Sequence, residues 1–362
     1  MKKLKSILMF GIMAVMIFGA TSCNDSFIFD GEGDCNPKVQ FIFKKHRHAL
    51  ESLDGRVTDA FYTTVGTVHL FVYDEKSGEL VFEKIEKTEN LHSRSELGLG
   101  TETDKCIMPL EIDPGRYKIV AWCGLDESDQ NNAFYLDESE TRGKYNECLV
   151  KRENEGGAPV HSEKYQNLYH GVRNSVEVTY DYDGHNIIPI ELTKDNNDIA
   201  VYIQHVNSTL DIDEYDVYYI DSNGGMNFED NSLTRSEKLE YKNHRKSILE
   251  GGSTDYNGDI VETNGMIAHI STSRLLESNF KDARLEVRTK EGYTVFSIPF
   301  IDYVIQVQQA TDDNQYYLDC EDTYNCNFLL TGADGHWTPA RIIINNWVKA
   351  PDQHENVGGE NE

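Results

Sequence analysis

Alternating apolar side chains recur along most of the chain, and a period of two predicts β-strands. Residues 38–43 (KVQFIF) and 67–73 (TVHLFVY) are clear examples. A polar segment at 74–78 separates the second of them from residues 79–82, which predicts a β-hairpin. Further segments that read as strands are 108–112, 116–122, 175–180, 186–192, 199–206, 215–220, 266–271, 283–289, 293–299, 327–330 and 341–348.

The segments between these strands predict turns, loops and one helix. Asp113-Pro114-Gly115 joins two strands, and proline followed by glycine favours a type II turn in which the glycine has positive φ. Residues 126–170 and 226–262 are polar and predict long loops. Residues 300–310 predict a short helix.

The predicted strands fall into two runs, separated by the polar residues Lys194-Asp195-Asn196-Asn197-Asp198. A chain of this length exceeds what one compact core usually supports. The sequence therefore predicts an all-β protein of two tandem β-sandwich domains, residues 35–194 and 195–349. Residues 350–362 form an acidic tail that is poor in apolar residues, which is typical of disorder.

The first 23 residues predict export. Lys2, Lys3 and Lys5 precede an apolar run at 7–20, which is shorter than the ~20 residues that span a membrane. Small residues then lead to Cys23, as in the lipobox of bacterial lipoproteins. We expect a signal peptide at 1–22, lipidation of Cys23 and a tether at 23–34. The alternative is an ordinary secretory signal in which Cys23 has no role.

The charge balance excludes some classes of partner. Removal of the leader leaves 31 basic against 62 acidic residues, a net charge of −31. Such a chain has no basic stripe to neutralise nucleic-acid phosphates. An acidic surface also disfavours electrostatic binding to anionic lipid, so membrane attachment is expected through the lipid on Cys23 alone.

Six cysteines remain after Cys23, an even number that permits disulfides in an exported protein. Six cysteines allow fifteen pairings, among which the sequence does not choose. Cys320 and Cys326 are the predicted local pair, because the five residues between them can form a turn. The alternative is that some cysteines stay reduced and buried as small apolar groups.

No motif of catalysis or cofactor binding stands in its proper context, so neither an enzyme nor a cofactor is expected. His46 and His48 lack a third ligand, and Asp181-Tyr182-Asp183-Gly184 lacks the closing glutamate of a calcium loop. The acidic groups around Asp211–Asp216 and at 312–313 are interpreted as solvated rather than as metal sites. Trp122 and Trp347 are interpreted as core residues, with a sugar platform as the alternative.

Four motifs, taken in order, resemble one family. They are Asp34-Cys35-Asn36-Pro37 before the first strand, the strand segment from Val65 to Asp74 that begins the predicted hairpin, Pro114-Gly115-Arg116-Tyr117 continuing to Ala121-Trp122, and Gln315-Tyr316-Tyr317-Leu318-Asp319 followed by Ile342-Ile343-Ile344-Asn345-Asn346-Trp347. Together they resemble the FimB-type fimbrial anchor subunits of Gram-negative surface lipoproteins. In that family a basic residue usually follows the Leu-Asp pair, where this chain has Cys320.

The resemblance implies two transthyretin-like β-sandwiches, a lipid anchor in the outer membrane at the fimbrium base, and no catalysis. It implies fimbrial shaft and accessory subunits as partners, joined by strand-type contacts. We expect the terminal strand to be the candidate polymer interface, through Ile342, Ile344 and Trp347. The alternative is that this strand completes its own core. The alternative function is a surface lipoprotein that binds glycans or host ligands.

Overall fold

The structure is a computed structural model that describes residues 36–43, 59–125, 133–137, 147–150, 160–179, 186–206, 211–227, 238–254, 258–307, 313–332, 337–345 and 347–349. Within these ranges β-strands predominate, which confirms the all-β prediction. The α-helices of this part are short: α1 (Phe61–Thr64), α2 (Phe300–Val307) and α3 (Asn314–Cys320). Helix α2 confirms the helix predicted from residue 300. No helix in these ranges is long and apolar enough to cross a membrane.

The first half of the chain forms a seven-stranded arrangement with the order β3-β2-β5-β9-β10-β1-β4. Its strands are β1 (Lys38–Phe43), β2 (Thr67–Asp74), β3 (Leu80–Lys87), β4 (Ile107–Pro109), β5 (Gly115–Cys123), β9 (Tyr169–Val178) and β10 (Ile187–Lys194). Strand β1 pairs in parallel with β10 over the whole length of β1, from Lys38 to Phe43. Only Thr193 and Lys194, at the end of β10, pair with β9. Strand β10 therefore passes from one layer of strands to the other.

The core of this first half lies between those two layers. Val39 and Phe41 of β1 and Ile190 of β10 pack in one cluster with Leu70 of β2 and Ile119 of β5. Each of the five is fully buried or nearly so. Alternate side chains along these strands therefore point into this core and towards the outer face of their layer, which is the pattern that predicted the strands.

The second half forms a six-stranded sheet, β15-β16-β11-β19-β20-β21, and a five-stranded sheet, β18-β17-β12-β14-β8. The strands after residue 195 are β11 (Asn196–Val206), β12 (Tyr215–Asp221), β13 (Gly225–Asn227), β14 (Leu239–Lys242), β15 (Arg245–Thr254), β16 (Ile260–Ser273), β17 (Arg284–Thr289), β18 (Thr294–Pro299), β19 (Thr323–Thr331), β20 (Thr338–Ile344) and β21 (Trp347–Lys349). Strand β11 pairs antiparallel with β16 and parallel with β19.

The two polar segments predicted as loops contain strands, so that prediction was wrong. Strands β6 (Phe134–Asp137), β7 (Glu147–Val150) and β8 (Val160–His161) lie in the first segment, and β13 to β15 lie in the second. Strand β7 pairs with β13, and β8 pairs with β14. Part of the predicted first domain thus pairs with strands after residue 195. Short polar strands of this kind form through distant partners, which local alternation does not reveal.

One apolar cluster joins the two halves. Trp122 and Phe71, on the outer face of the first sheet, belong to the same cluster as Tyr219 and Phe300 of the second half. Phe134, in the inserted segment, is part of it as well. Trp122 is fully buried, which confirms its interpretation as a core residue. The two halves therefore pack against each other through a shared buried surface and are not joined only by a flexible linker.

The turn at Asp113-Pro114-Gly115 is not the predicted type II turn, because Gly115 does not have positive φ. Gly115 instead begins β5, and a Cβ built there would lie 2.8 Å from the hydroxyl oxygen of Tyr117. That hydroxyl donates a hydrogen bond to the carbonyl of Asp113 at 2.8 Å. Glycine is needed here for the close approach of the tyrosine and not for a left-handed backbone.

The predicted disulfide between Cys320 and Cys326 is not formed in the structure. Cys320 ends α3, whereas Cys326 is a free and fully buried thiol inside β19. An extended strand carries Cys326 about 10 Å beyond Thr323. Disulfides usually join Cα atoms about 4.4–6.8 Å apart, which the predicted turn would have allowed. Burial raises the pKa of the Cys326 thiol, in keeping with an inert core residue.

We expect Gly171→Ala to destabilise the first half. A Cβ at Gly171 would lie 2.6 Å from the backbone oxygen of Glu191 and 2.5 Å from Cγ2 of Ile190. Overpacking of this kind typically costs about 1–3 kcal/mol. Urea unfolding should show this loss for Gly171→Ala, whereas Gly66→Ala, with no neighbour within 4 Å, should unfold as the wild type does. Equal stability of the two variants would contradict the packing at β9 and β10.

Candidate functional site

The residues predicted to contact a polymer lie mostly in the core. Strand β20 is paired on both sides, with β19 and with β21. Ile342 is 1% exposed and Ile344 is fully buried, so neither side chain reaches a partner in this conformation. The alternative, that the strand completes its own core, is the one the structure supports. Trp347 begins β21, the edge strand beside β20, opposite Ile344.

Several other predicted features lie outside the described residues. These are Cys23 and its leader, Cys35, His46, His48, the segment 181–184 and Asp312. Among the residues that are described, no group of three or more histidine, cysteine or acidic side chains is placed to hold a metal.

The acidic residues around Asp216 do not act as one cluster. Asp211 is exposed and accepts a hydrogen bond from the backbone N–H of Asp213 at 2.9 Å, which begins a short 3-10 turn. Asp216 is buried among lysines: Nζ of Lys242, Lys246 and Lys290 lies 2.8, 3.0 and 3.1 Å from its carboxylate oxygens. Burial acts to raise the pKa of Asp216, but these hydrogen bonds outweigh it and lower the pKa to about 2.

The segment Gln315 to Asp319 forms most of α3 and fastens that helix to the second half. Nε and Nη2 of Arg274 donate to the two carboxylate oxygens of Asp319 at 2.8 and 2.6 Å. Gln315, one helical turn earlier, donates to the same carboxylate at 2.9 Å. Asp319 therefore pairs within the fold. A buried bidentate pair of this kind fixes orientation as well as contact.

The junction segment, residues 194–198, had been interpreted as the break between two domains, but it is a buried polar site. Asp195 and Asn196 are fully buried, and Lys194 and Asn197 are nearly so. The chain passes directly from β10 to β11 here, with a single residue between the two strands. Buried polar groups are usually hydrogen-bonded, so the partners of this segment indicate what it does.

The junction segment bonds to the first half through β9 and the residues that precede it. Asp195 N–H donates to the carbonyl of Leu168 at 2.8 Å, and the Leu168 N–H donates to Oδ1 of Asn196 at 3.0 Å. Nδ1 of His170 lies 2.6 Å from Oδ2 of Asp195. The His170 ring in turn packs against Trp122, with ring centroids 5.3 Å apart.

The same segment bonds to the second half. The Arg274 N–H donates to the carbonyl of Asp195 at 2.8 Å. Asn197 accepts from the N–H of Leu275 at 3.3 Å and donates through Nδ2 to the carbonyl of Glu321 at 2.9 Å. Side chains and backbone of this short segment thus hold strands from both halves together. A rotation of one half against the other would break several buried hydrogen bonds, each costly to leave unmade.

A polar cleft of about 440 Å³ opens beside the junction segment. Lys194 and Asp198 line it from the junction, Lys164 and Asn167 from the inserted segment, and Asp322 from the turn before β19. Lys194 Nζ lies 4.0 Å from Oδ2 of Asp322.

The sequence analysis placed a boundary between two runs of strands at this segment, and its polar composition did not predict that the segment is buried. A run of polar residues between two strand segments is typical of an exposed linker. One signal points the other way: the run 194–198 contains neither glycine nor proline and lies directly between two apolar strands. A mobile linker is usually richer in those two residues.

We expect Asp195→Ala to destabilise the protein by about 3 kcal/mol. The change removes the partner of His170 and leaves buried polar groups unsatisfied. Thermal or urea unfolding measures this, with Asp282→Ala, a change at an exposed carboxylate, as the control. Loss of stability in both variants alike, or in neither, would contradict a structural role for the buried pair.

A second prediction concerns Asp216 and pH. Because its folded pKa is below its ordinary value, Asp216 stabilises the fold above about pH 4, and this contribution is lost as the pH falls towards 2. At about 1.4 kcal/mol per pKa unit, Asp216→Asn should be about 2 kcal/mol less stable than the wild type at pH 7. The gap should close near pH 2 in urea unfolding. Asp213→Asn, an exposed neighbour, should show no gap, and a gap at Asp216 that does not vary with pH would refute the ion-pair account.

This chain is similar to a known protein family and to several solved structures. The family model described as "Fimbrillin-A associated anchor proteins Mfa1 and Mfa2" matches residues 32–350. A putative polysaccharide-binding protein from Bacteroides thetaiotaomicron is 24% identical, with a TM-score of 0.65 over 89% of this chain and 100% of that one. A putative adhesin from Bacteroides ovatus is 21% identical, with a TM-score of 0.65 over 92% and 100% of the two chains.

The fimbrial anchor protein Mfa2 from Porphyromonas gingivalis is also similar. It is 18% identical, with a TM-score of 0.58 over 88% of this chain and 99% of that one. No curated protein sequence matches. The likeness to solved structures shows a shared fold, and the family model, which covers most of the chain, confirms the resemblance seen in the motifs. This chain therefore belongs to the Mfa2 family of fimbrial anchor proteins.

Proposed function

We propose that this protein tethers the base of a fimbrium to the outer membrane and ends its growth there. Membership of the anchor family, over residues 32–350, is the observation that carries the proposal. The lipobox-like sequence before Cys23 supplies a membrane attachment without a spanning helix. The partners are the shaft and accessory subunits of the fimbrium.

The way the tether enters the fold suits a protein under tension. The tether leads through residue 36 into β1, which is paired in parallel with β10 from Lys38 to Phe43. A pull on the N-terminus directed along β1 would load these hydrogen-bonded pairs together in shear. Strand β1 also pairs with β4 on its other side. Peeling, in which bonds break one after another, would need a pull across the strands.

The buried junction supports the same role. A fimbrium exerts force on its base wherever its first subunit attaches. Because the two halves share one apolar cluster and the hydrogen bonds of residues 194–198, a load on either half reaches the tether through a packed body. Because the N-terminus is held in the membrane, no further subunit could bind on the side of the protein that faces the membrane. Growth of the fimbrium would therefore end at this subunit.

The attachment to the shaft is proposed to be of the strand type. The side chains of Ile342 and Ile344 are committed to the core, so contact would be made by an edge strand and its backbone. An extended segment that joins a sheet edge gains main-chain hydrogen bonds and pockets for alternate side chains. No reactive group is needed for such an assembly.

Replacement of the lipidated cysteine tests the tether. In cells that make the full chain as Cys23→Ala, we expect fimbriae to appear in the culture medium rather than on cells, because no acyl chain holds the base. Electron microscopy and immunoblots of the cell and medium fractions measure this. Ser26→Ala, which leaves the lipobox intact, should retain cell-bound fimbriae.

Mass spectrometry of the mature N-terminus shows whether Cys23 carries acyl chains in the control and has lost them in the variant. Cell-bound fimbriae of normal number and length in a strain whose only copy is unacylated would refute the proposal.

Glycan capture is the competing function. A similar structure is described as a putative polysaccharide-binding protein, but that likeness extends only to the fold. The buried position of Trp122 removes one of the two tryptophans that were considered as sugar platforms. Anchoring is therefore the better supported of the two functions.

A further inference from the structure

The outer face of the five-stranded sheet is rich in basic side chains. Val217 and Tyr219 of β12 are buried in the core. Asp216 and Tyr218 alternate with them and therefore lie on the opposite face, beside charged residues of β14 and β17. Lysines of β15 and of the turn after β17 reach the same face. We call it the basic face, and its charged residues are Lys242, Lys246, Arg284, Arg288 and Lys290 against Asp216, Glu240 and Glu286.

The excess positive charge of the basic face lies around Asp216. Nζ of Lys242 and Nζ of Lys290 both contact its Oδ2, at 2.8 and 3.1 Å. Nζ of Lys246 lies 3.0 Å from Oδ1. One carboxylate carries a single negative charge, so it does not neutralise three ammonium groups. The side chain of Lys290 is 47% exposed and that of Lys242 is 30% exposed, which leaves both lysines accessible to a further anionic group.

The middle of the basic face is held by its own contacts. Arg288 pairs with Glu240 at 2.9 Å and with Glu286 at 2.8 Å. Its guanidinium carbon lies 4.6 Å from the ring centre of Tyr218, and Nζ of Lys242 lies 5.7 Å from the same centre. Lys242 is thus held in place from two sides, and groups that are already positioned lose little freedom when an anion binds.

The acidic tail, residues 350–362, begins on the same side of the molecule. It follows Lys349, the last residue of β21, and lies outside the described residues. Helix α2 packs against β21 and also against β17 and β18 of the five-stranded sheet. The ring of Phe296 in β18 lies 5.2 Å from that of Phe328 in β19. Phe328 shares a cross-strand row with Ile342 and Lys349, so the chain leaves the six-stranded sheet on the side where β18 ends the other sheet.

The acidic tail is long enough to reach the lysines around Asp216. The route from Lys349 past β18 to β12 crosses four strand spacings of about 4.8 Å and one sheet spacing of about 10 Å, about 30 Å in all. Glu360 and Glu362 are the eleventh and thirteenth residues after Lys349. At about 3.3 Å per residue they reach about 36 and 43 Å, which is beyond the required distance.

Charge favours this tail over a second copy of the chain as the occupant. Residues 350–362 contain four carboxylates, no lysine and no arginine, so their charge complements that of the three lysines. Two copies of the chain each carry a formal net charge of −28 and repel one another. A tail that is already joined to the fold binds within one molecule, at a high effective concentration.

We propose that the acidic tail folds back past β18 and docks on the basic face, where Glu360 and Glu362 bind Lys242 and Lys290. Among the described strands β18 ends the order of the five-stranded sheet, so a tail in this position also restricts access to that edge. The contact does not depend on the lipid anchor or on a fimbrium, and it therefore goes beyond the proposed function.

Carbodiimide cross-linking of the purified full chain tests this contact, because the reagent joins carboxylates to amines that they touch. At about 10 mM salt, where charges act over about 30 Å, we expect Glu360 or Glu362 to be joined to Lys242 or Lys290 at least about tenfold more often than to Lys84. The side chain of Lys84, on the first half, is 42% exposed and serves as the matched control. At about 1 M salt, where charges act over about 3 Å, this difference should disappear.

A charge reversal on the basic face provides a second test. Lys290→Glu should lower cross-linking of the tail to Lys242, because the new carboxylate repels the tail. Lys84→Glu, the same change on the first half, should leave that cross-linking unchanged. Lys290 is exposed, and an unchanged melting temperature shows that the variant is folded.

A mixture of normal and isotopically labelled chains distinguishes a contact within one molecule from a contact between two. Cross-links confined to one kind of chain support the proposal, whereas random mixed pairs would overturn it and identify a second copy as the occupant. Tail cross-links that reach Lys84 as often as Lys242, that do not respond to salt, or that are absent from the basic face would also overturn the docking. The anchor function would stand in each of these cases, because Cys23→Ala tests it separately.

Discussion

The buried junction segment, residues 194–198, is the constraint on which the architecture depends. Two β-rich halves of one chain would ordinarily move independently, because interfaces between domains are modest and polar. Here Asp195 and Asn196 are inaccessible to solvent and are bonded to Leu168 and His170 of the first half. Arg274 and Glu321 of the second half are bonded to the same segment. Any relative motion of the halves exposes or abandons these groups, and the penalty for that keeps the molecule in one arrangement.

The inserted segment strengthens this arrangement through apolar contacts. His161 and Tyr165 belong to the part of the chain that precedes β9, yet their rings pack against Tyr241 of the second half, with centroids 5.8 and 6.2 Å apart. Together with Trp122, Tyr165 extends the core of the second half onto the outer face of the first sheet.

The sequence was informative wherever local pattern and local chemistry decide the outcome. The strands at 38–43 and 67–73, the helix from Phe300 and the core position of Trp122 follow from periodicity and residue type, and the order of motifs was enough to identify the family. The sequence was misleading where the structure of a segment depends on pairing with residues far away in the chain. Strands β7 and β8 are polar and short, and they exist because β13 and β14 lie beside them. Cys320 and Cys326 are close enough in sequence for a turn to join them, but the chain that leads to Cys326 is an extended strand.

By itself, the sequence determined that the chain is acidic, built of β-strands and related to fimbrial anchors, because these properties depend on composition and on residues close together in the chain. Only the tertiary structure decided which strands are interior and which are edges. Ile342 and Val81 are equally β-prone, yet β20 is flanked on both sides whereas β3 has one neighbour. The number of neighbours of a strand depends on pairings between residues far apart in the chain. The same holds for the polar run at 194–198, which is buried because strands on both sides of it enclose it.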